Sequence, residues 1–388
     1  MTTMEQLPTE EPRTSRRWSP RAQVSALYTR TGLRGWYSRL PRWGRLVANL
    51  VFFGLAALLP YVGSVPLIGP QIITNGISWG NTLFDMTYYV LLALGLNVVV
   101  GYAGMLDLGY VGFFAVGAYT VALMTSGDSV LHLRWGWLAA LPFAVAITLI
   151  SGVVLGWPTL RLRGDYLAIV TLGFAEIIRV TANSASFLRG DRGFGGLPHP
   201  PGSWPDGTKI FGLRDLRPYY WLGLVAIVLV IFAVHNLDRS RVGRSWLAIR
   251  EDEEVAEIMG VRTVKYKLWA FAIGAFIGGL GGVLFAGYNA FMNSSTFVLQ
   301  FSILVLAGVV MGGSGNIPGA ILGGALISYI PDRLRGIEDP LTHTDLFQWR
   351  FVLFGAVIIL IMLFRPQGLA PNRRRAMELK DRAREVAP

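Results

Sequence analysis

The sequence predicts an all-α fold, a polytopic transmembrane helical bundle of about ten spans, and three observations predict it. Hydrophobic residues make up 53% of the 388 residues and charged residues only 15%, which is more apolar surface than a water-soluble globule of this length buries. Apolar runs that approach the roughly 20 helical residues needed to cross a hydrocarbon layer recur from Leu46 to Phe364. Arginine collects in the polar segments beside and beyond those runs.

Taken in order, the apolar runs are 46–66, 83–101, 106–126, 135–157, 165–182, 219–234, 266–288, 297–313, 317–330 and 351–364, the last two being short for a full crossing. They divide the chain into a basic cytoplasmic N-terminal tail (1–45), a membrane domain (46–366) and a basic cytoplasmic C-terminal tail (367–388). Loops rich in Arg and Lys stay on the cytoplasmic side. The tails carry Arg13, Arg16, Arg17, Arg21, Arg30 and Arg34 at one end and Arg373, Arg374, Arg375, Lys380, Arg382 and Arg384 at the other, so both termini are expected inside. Alternate crossing then puts Arg161, Arg163 and the segment 238–265 inside, and the Gly/Pro-rich loop 184–218 outside, although that loop also holds Arg189, Arg192, Lys209, Arg214 and Arg217. The expected location is the inner cell membrane. Residues 1–45 lack the early apolar run of a cleaved signal peptide.

Several function classes drop out. The net charge of +11 lies between apolar spans, where it suits lipid headgroups better than nucleic acid. Cysteine is absent, which removes thiolate metal sites and a cysteine nucleophile. His132, His199, His235 and His343 are scattered without metal-ligand spacing. No Gly is followed at the P-loop spacing by Gly-Lys-Ser/Thr, and no Ser-His-Asp set or carboxylate pair argues for an enzyme. Neither a catalytic residue, a cofactor-binding residue nor a metal ligand is expected.

The remaining signals are glycine, a few buried charges and one polar loop. Two glycine-rich segments, Gly101-Tyr102-Ala103-Gly104-Met105-Leu106-Asp107-Leu108-Gly109 and Gly308-Val309-Val310-Met311-Gly312-Gly313-Ser314-Gly315-Asn316-Ile317-Pro318-Gly319, each interrupt a pair of apolar runs. They read either as broken helices lining a cavity or as tight hairpins between packed helices. The run from Gly274 to Gly282 reads as a closely packed helix interface. Asp107, Glu176 and Arg179 are charges inside apolar runs, and such charges are normally paired or face a polar cavity. Glu176 and Arg179, three apart, can meet on one helix face as a structural pair or beside a solute path. The loop from Asp252 to Arg262 predicts a short amphipathic surface helix with an acidic first turn and Gly260 as its stop.

In wording and order, Leu94-Gly95-Leu96-Asn97-Val98-Val99-Val100-Gly101-Tyr102-Ala103-Gly104, Gly112 to Tyr119, Arg161-Leu162-Arg163-Gly164-Asp165-Tyr166 to Phe174, and Phe364-Arg365-Pro366-Gln367-Gly368-Leu369 resemble the branched-chain amino acid ABC-importer permease (LivM-like) family. The resemblance covers roughly 82–370. It implies that Glu254, Ala256 and Gly260 are the coupling motif that docks on an ATPase subunit, with Val255 where the family pattern has Ala. It also implies a second, homologous permease, two ABC ATPase subunits that use ATP, an extracytoplasmic solute-binding protein, and a branched-chain or other hydrophobic amino acid as solute. Asn97, Asp107, Glu176 and Arg179 are the candidates for the translocation path. Urea or short amides are the alternative solutes within this family shape. An ion-coupled secondary transporter, with Asp107 as its titratable group, is the alternative of another class.

Overall fold

A computed structural model describes residues 42–64, 78–159, 162, 164–203, 209–212, 215–335, 349–364 and 368–370. Most of both basic tails, together with Arg161, Arg163, Arg365, Pro366 and Gln367, lies outside the described residues. Two compact units result, Met1–Leu59 and Pro60–Pro388. The described part of the first is helix α1 (Arg42–Leu58) with Leu59 after it, and the helix leaves Val47, Val51, Phe52, Leu55 and Leu58 exposed.

The second unit is a helical bundle. Its helices are α2 (Trp79–Leu96), α3 (Tyr110–Thr125), α4 (Trp137–Thr159), α5 (Asp165–Ser184), α6 (Arg217–Arg239), α7 (Arg241–Glu251), α8 (Glu253–Ile258), α9 (Thr263–Asn289), α10 (Leu299–Gly312), α11 (Ile317–Leu334) and α12 (Arg350–Phe364). A single π-helical turn, Asn97–Tyr102, extends α2. The described residues hold no β-strand, only the isolated bridges Phe194–Met292 and Ser203–Lys209.

Each of the ten apolar runs overlaps a helix among the described residues, but they are not equal. Among the described residues, six helical stretches are long and apolar enough to cross a membrane by length and composition: Trp79–Tyr102, Trp137–Thr159, Asp165–Ser184, Arg217–Arg239, Thr263–Asn289 and Ser294–Gly312. Two of the remaining helices are shortened or interrupted locally. Leu106 to Gly109 is unwound, so α3 starts only at Tyr110. At the other end of the bundle, α11 closes on Asp332 and Arg333, which are charged.

Helix α9 is the axis. Its 27 residues span about 40 Å at 1.5 Å per residue, and it packs on α2, α3 and α4. The glycine run Gly274–Gly282 is that interface. A Cβ on Gly117 of α3 would come 2.4 Å from the Gly279 carbonyl oxygen of α9, so backbone meets backbone where lipid supplies no hydrophobic drive for association. Tyr110 Oη donates across the same crossing to Gly274 O at 2.9 Å. A second close crossing joins α10 to α11, where a Cβ on Gly323 would come 1.9 Å from Gly308 O. The hairpins therefore differ. Helices α10 and α11 pack along each other, whereas α2 packs mainly on α11, α9 and α6, and α3 mainly on α9 and α4.

The ends of α9 define the two ends of the bundle. At its C-terminal end the 184–218 loop folds back: Phe194 N donates to Met292 O at 2.9 Å, Leu197 N donates to Ala290 O at 3.1 Å, and Phe194 is fully buried. At its N-terminal end stands the α7–α8 elbow.

Backbone contact at Gly117 leaves no side chain to move aside, so Gly117→Val should lower the melting temperature of the detergent-solubilised protein, with overpacking costing about 1–3 kcal/mol. Gly173→Ala, which has nothing within 4 Å of the added Cβ, should leave it unchanged. Equal melting temperatures for the two variants would contradict the glycine-packed core.

Candidate functional site

Two short helices emerge where α6 ends. Ser240 caps α7 by accepting from Val242 N at 3.1 Å. Helix α7 buries Gly243, Trp246 and Ile249, spaced three apart on one face. Trp246 is 1% exposed and its Nε1 donates to Tyr266 O at 2.7 Å, which fastens α7 to α9.

The chain then bends at Asp252, which is extended (φ −158°, ψ 116°) and caps α8. Its Oδ1 accepts from Glu254 N at 2.9 Å and Val255 N at 3.0 Å, the donors a helix start leaves without partners. Six residues later the helix stops. Gly260 has φ +85°, Gly260 N donates to Glu257 O at 2.9 Å and Val261 N to Ala256 O at 3.0 Å, the paired bonds of a Schellman stop. The predicted surface helix is therefore present, with Asp252 as its cap rather than its first residue.

Its faces differ sharply. Ala256 is 3% exposed and anchors α8 to the bundle, while Val255 is 54%, Ile258 83% and Met259 78% exposed. Glu254 and Glu257 are exposed beside them. A buried lysine holds the base: Lys267 Nζ of α9 lies 2.5 Å from Glu253 Oε2, with the Lys267 side chain 5% exposed. Leaving a buried ammonium without its carboxylate is costly, so this pair fixes where α8 sits on α9. Glu254, Ala256 and Gly260 thus have separate structural roles: an exposed charge, a buried anchor and a left-handed stop.

Arg250, near the end of α7, reaches into the bundle. Its Nη1 donates to Gly101 O in the π-helical turn at 2.5 Å. Beside it Asn97 is fully buried, and its Oδ1 accepts from Gly315 N, in the turn between α10 and α11, at 2.8 Å. The two look-alike glycine segments meet here.

The other path candidates are placed differently. Asp107 is 1% exposed, and its Oδ1 accepts from Gly109 N, the cap residue of α3, at 2.9 Å. A carboxylate there suits the positive end of a helix dipole. Glu176 and Arg179 form a two-pronged ion pair on α5 with side chains 46% and 32% exposed. They stand on an outer face of the bundle, apart from the Asn97 junction. Composition-level reading overlooked Asp85, which lies inside α2 with Tyr88 as a hydrogen-bond partner. It also overlooked Asp332 of α11, which accepts from Thr82 Oγ1 at 2.7 Å and lies 3.6 Å from Arg335. An acid two residues inside the 83–101 run was the available signal for Asp85.

Six membrane-length apolar helices among the described residues, the glycine-rich axis α9 being one of them, make this a multi-pass membrane protein. The model of the branched-chain amino acid transport system permease component matches residues 78–362, and the chain belongs to that family. It is 37% identical over 310 residues to the high-affinity branched-chain amino acid transport system permease protein LivM of Salmonella typhimurium, covering 75% of this chain and 70% of the relative. It is likewise 37% identical over 313 residues to LivM of Escherichia coli K12, covering 76% and 70%. The permease protein LivH of Escherichia coli K12 is 26% identical over 311 residues, covering 77% and 94%. A transport permease is not an enzyme family.

The Asp252 cap predicts a local effect. Asp252→Ala removes the shared acceptor of both bonds at a cost of about 1 kcal/mol, so hydrogen exchange of the Glu254 and Val255 amides should speed up about fivefold while amides of α9 stay protected. Unchanged exchange at those two amides would contradict the cap.

Proposed function

We propose that this chain is a membrane-spanning subunit of an ATP-driven uptake system for branched-chain amino acids. The observation that carries the reading is α8: a short helix capped at both ends, pinned by Ala256 and the Glu253–Lys267 pair, with Val255, Ile258 and Met259 turned away from the bundle. An exposed apolar cluster beside exposed carboxylates fits a cleft on another protein better than water. The LivM names of the relatives supply the solute class.

The system then contains a second, related permease, as the LivH name indicates for the relatives' system. Two ATPase subunits dock on the α7–α8 end, and an extracytoplasmic solute-binding protein meets the 184–218 end. ATP is bound and hydrolysed by those partners, and closure of the ATPase pair moves α8 and tilts the bundle between two open states. All ten apolar helices take part in the crossing, the six long ones fully and the shorter ones with flanking turns, with both termini and the elbow in the cytoplasm and the chain in the inner membrane. Asn97 and Asp107 sit at the inner mouth of this bundle. The ion-coupled alternative would need Asp107, whose Oδ1 accepts from Gly109 N just before α3, as its titrating group. The relatives' names weigh against urea or short amides.

Placing charge on the apolar cluster tests the docking. With Ile258→Glu and Met259→Glu together, co-purified ATPase should fall at least tenfold and uptake of radiolabelled leucine should be lost, while the variant keeps the wild-type melting temperature. ATPase capture and leucine uptake at wild-type levels in that variant would sink the reading.

A further inference from the structure

The two glycine-rich turns are far apart in sequence, yet one side chain of the elbow touches both. Arg250 stands two residues before the Asp252 cap. Its Nη1 donates to Gly101 O at 2.5 Å. Its stem lies along Gly104, where φ is +73° and an added Cβ would come 2.8 Å from Arg250 Cγ and 3.2 Å from its Cα. Its Nη1 also abuts Gly315, where φ is +79° and an added Cβ would come 2.7 Å from that nitrogen and 2.9 Å from Gly101 O. Gly315 N in turn donates to Asn97 Oδ1 at 2.8 Å, and Asn97 opens the same π-helical turn that ends beyond Gly101. Arg250, Gly101, Asn97 and Gly315 therefore form a closed loop of contacts that ties α7 to the end of α2 and to the turn between α10 and α11.

We propose that Arg250 is a positioning residue that transmits the displacement of α8 to both glycine turns, so that α2 and the α10–α11 hairpin move together with the elbow. The inference deepens the coupling reading above and rests on it. Trp246 and Lys267 fasten the elbow to α9, whereas Arg250 fastens it to the end of α2 and abuts the α10–α11 turn. A π-helical turn releases backbone carbonyls from their usual partners and is frequently functional, and a planar guanidinium suits such an acceptor because its donors are fixed in direction. The glycines at 104 and 315 leave room for the arginine to slide along the turns without a side chain to obstruct it.

The test uses the complete transporter (this chain, its partner permease, ATPase and binding protein) in proteoliposomes, with Arg250→Ala and Arg250→Lys compared with the wild type. Because the chain has no cysteine, Ser314→Cys gives a single labelling site in the second turn. With Arg250 present, maleimide labelling of Cys at 314 should change at least fivefold between nucleotide-free and vanadate-trapped states. In Arg250→Ala the ATPase should still co-purify, ATP hydrolysed per solute imported should rise at least tenfold, and labelling should become independent of nucleotide. Arg250→Lys should restore part of both. If Arg250→Ala fails to assemble, the Arg250→Lys labelling response decides. Wild-type stoichiometry in Arg250→Ala, or labelling that ignores nucleotide when Arg250 is intact, would overturn the proposal. A wild-type chain that captures no ATPase and imports without ATP would instead overturn the coupling reading itself.

Discussion

In hydrocarbon no water is available to satisfy a freed backbone group, so a membrane bundle must complete its own hydrogen bonds wherever a helix stops. That constraint organises the elbow end of this protein. The π-helical turn gives Gly101 O to Arg250, Gly315 N goes to Asn97, and Gly109 N goes to Asp107. The end of α10 is closed by the returning chain, where Leu369 N donates to Met311 O and Ala370 N to Gly312 O at 2.9 Å each. Asn316 Nδ2 completes that contact on Ala370 O at 2.7 Å. Arg250, Asn97, Asp107 and Asn316 each meet a backbone group in this way. A role in transport is built on top of these bonds.

The same constraint explains why glycine is abundant inside the helices. Without hydrophobic attraction between helices, close backbone approach supplies the contact energy, and Gly117 against Gly279 and Gly308 against Gly323 are such approaches. The rigid part is then the α9-centred core. Elements that move are better sought where glycines sit in left-handed turns, at Gly104, Gly260 and Gly315.

Much of this was legible in the sequence. Apolar runs fixed the positions of the helices because membrane burial selects composition over long windows. The short helix after Asp252 and its stop at Gly260 were legible because caps and left-handed stops are local chemistry. The π-helical turn and the role of Arg250 were not. Arg250 is separated from Gly101 by 149 residues and Gly315 from Asn97 by 218, and no local pattern carries such a pairing. The position of Asp107 inside an apolar run was visible, while the unwinding of Leu106 to Gly109 around it was not. The length of α3 was hidden for the same reason, since the unwound stretch before Tyr110 shortens it.

The account depends on which compartment the α7–α8 elbow faces. Glu254→Cys in this cysteine-free chain provides a lone thiol for a membrane-impermeant maleimide, applied to intact cells and to inside-out vesicles. Labelling in inside-out vesicles only, lost when the ATPase is bound, is the predicted result. Labelling from the outside of intact cells would put the elbow on the wrong side of the membrane from ATP and contradict the coupling mechanism.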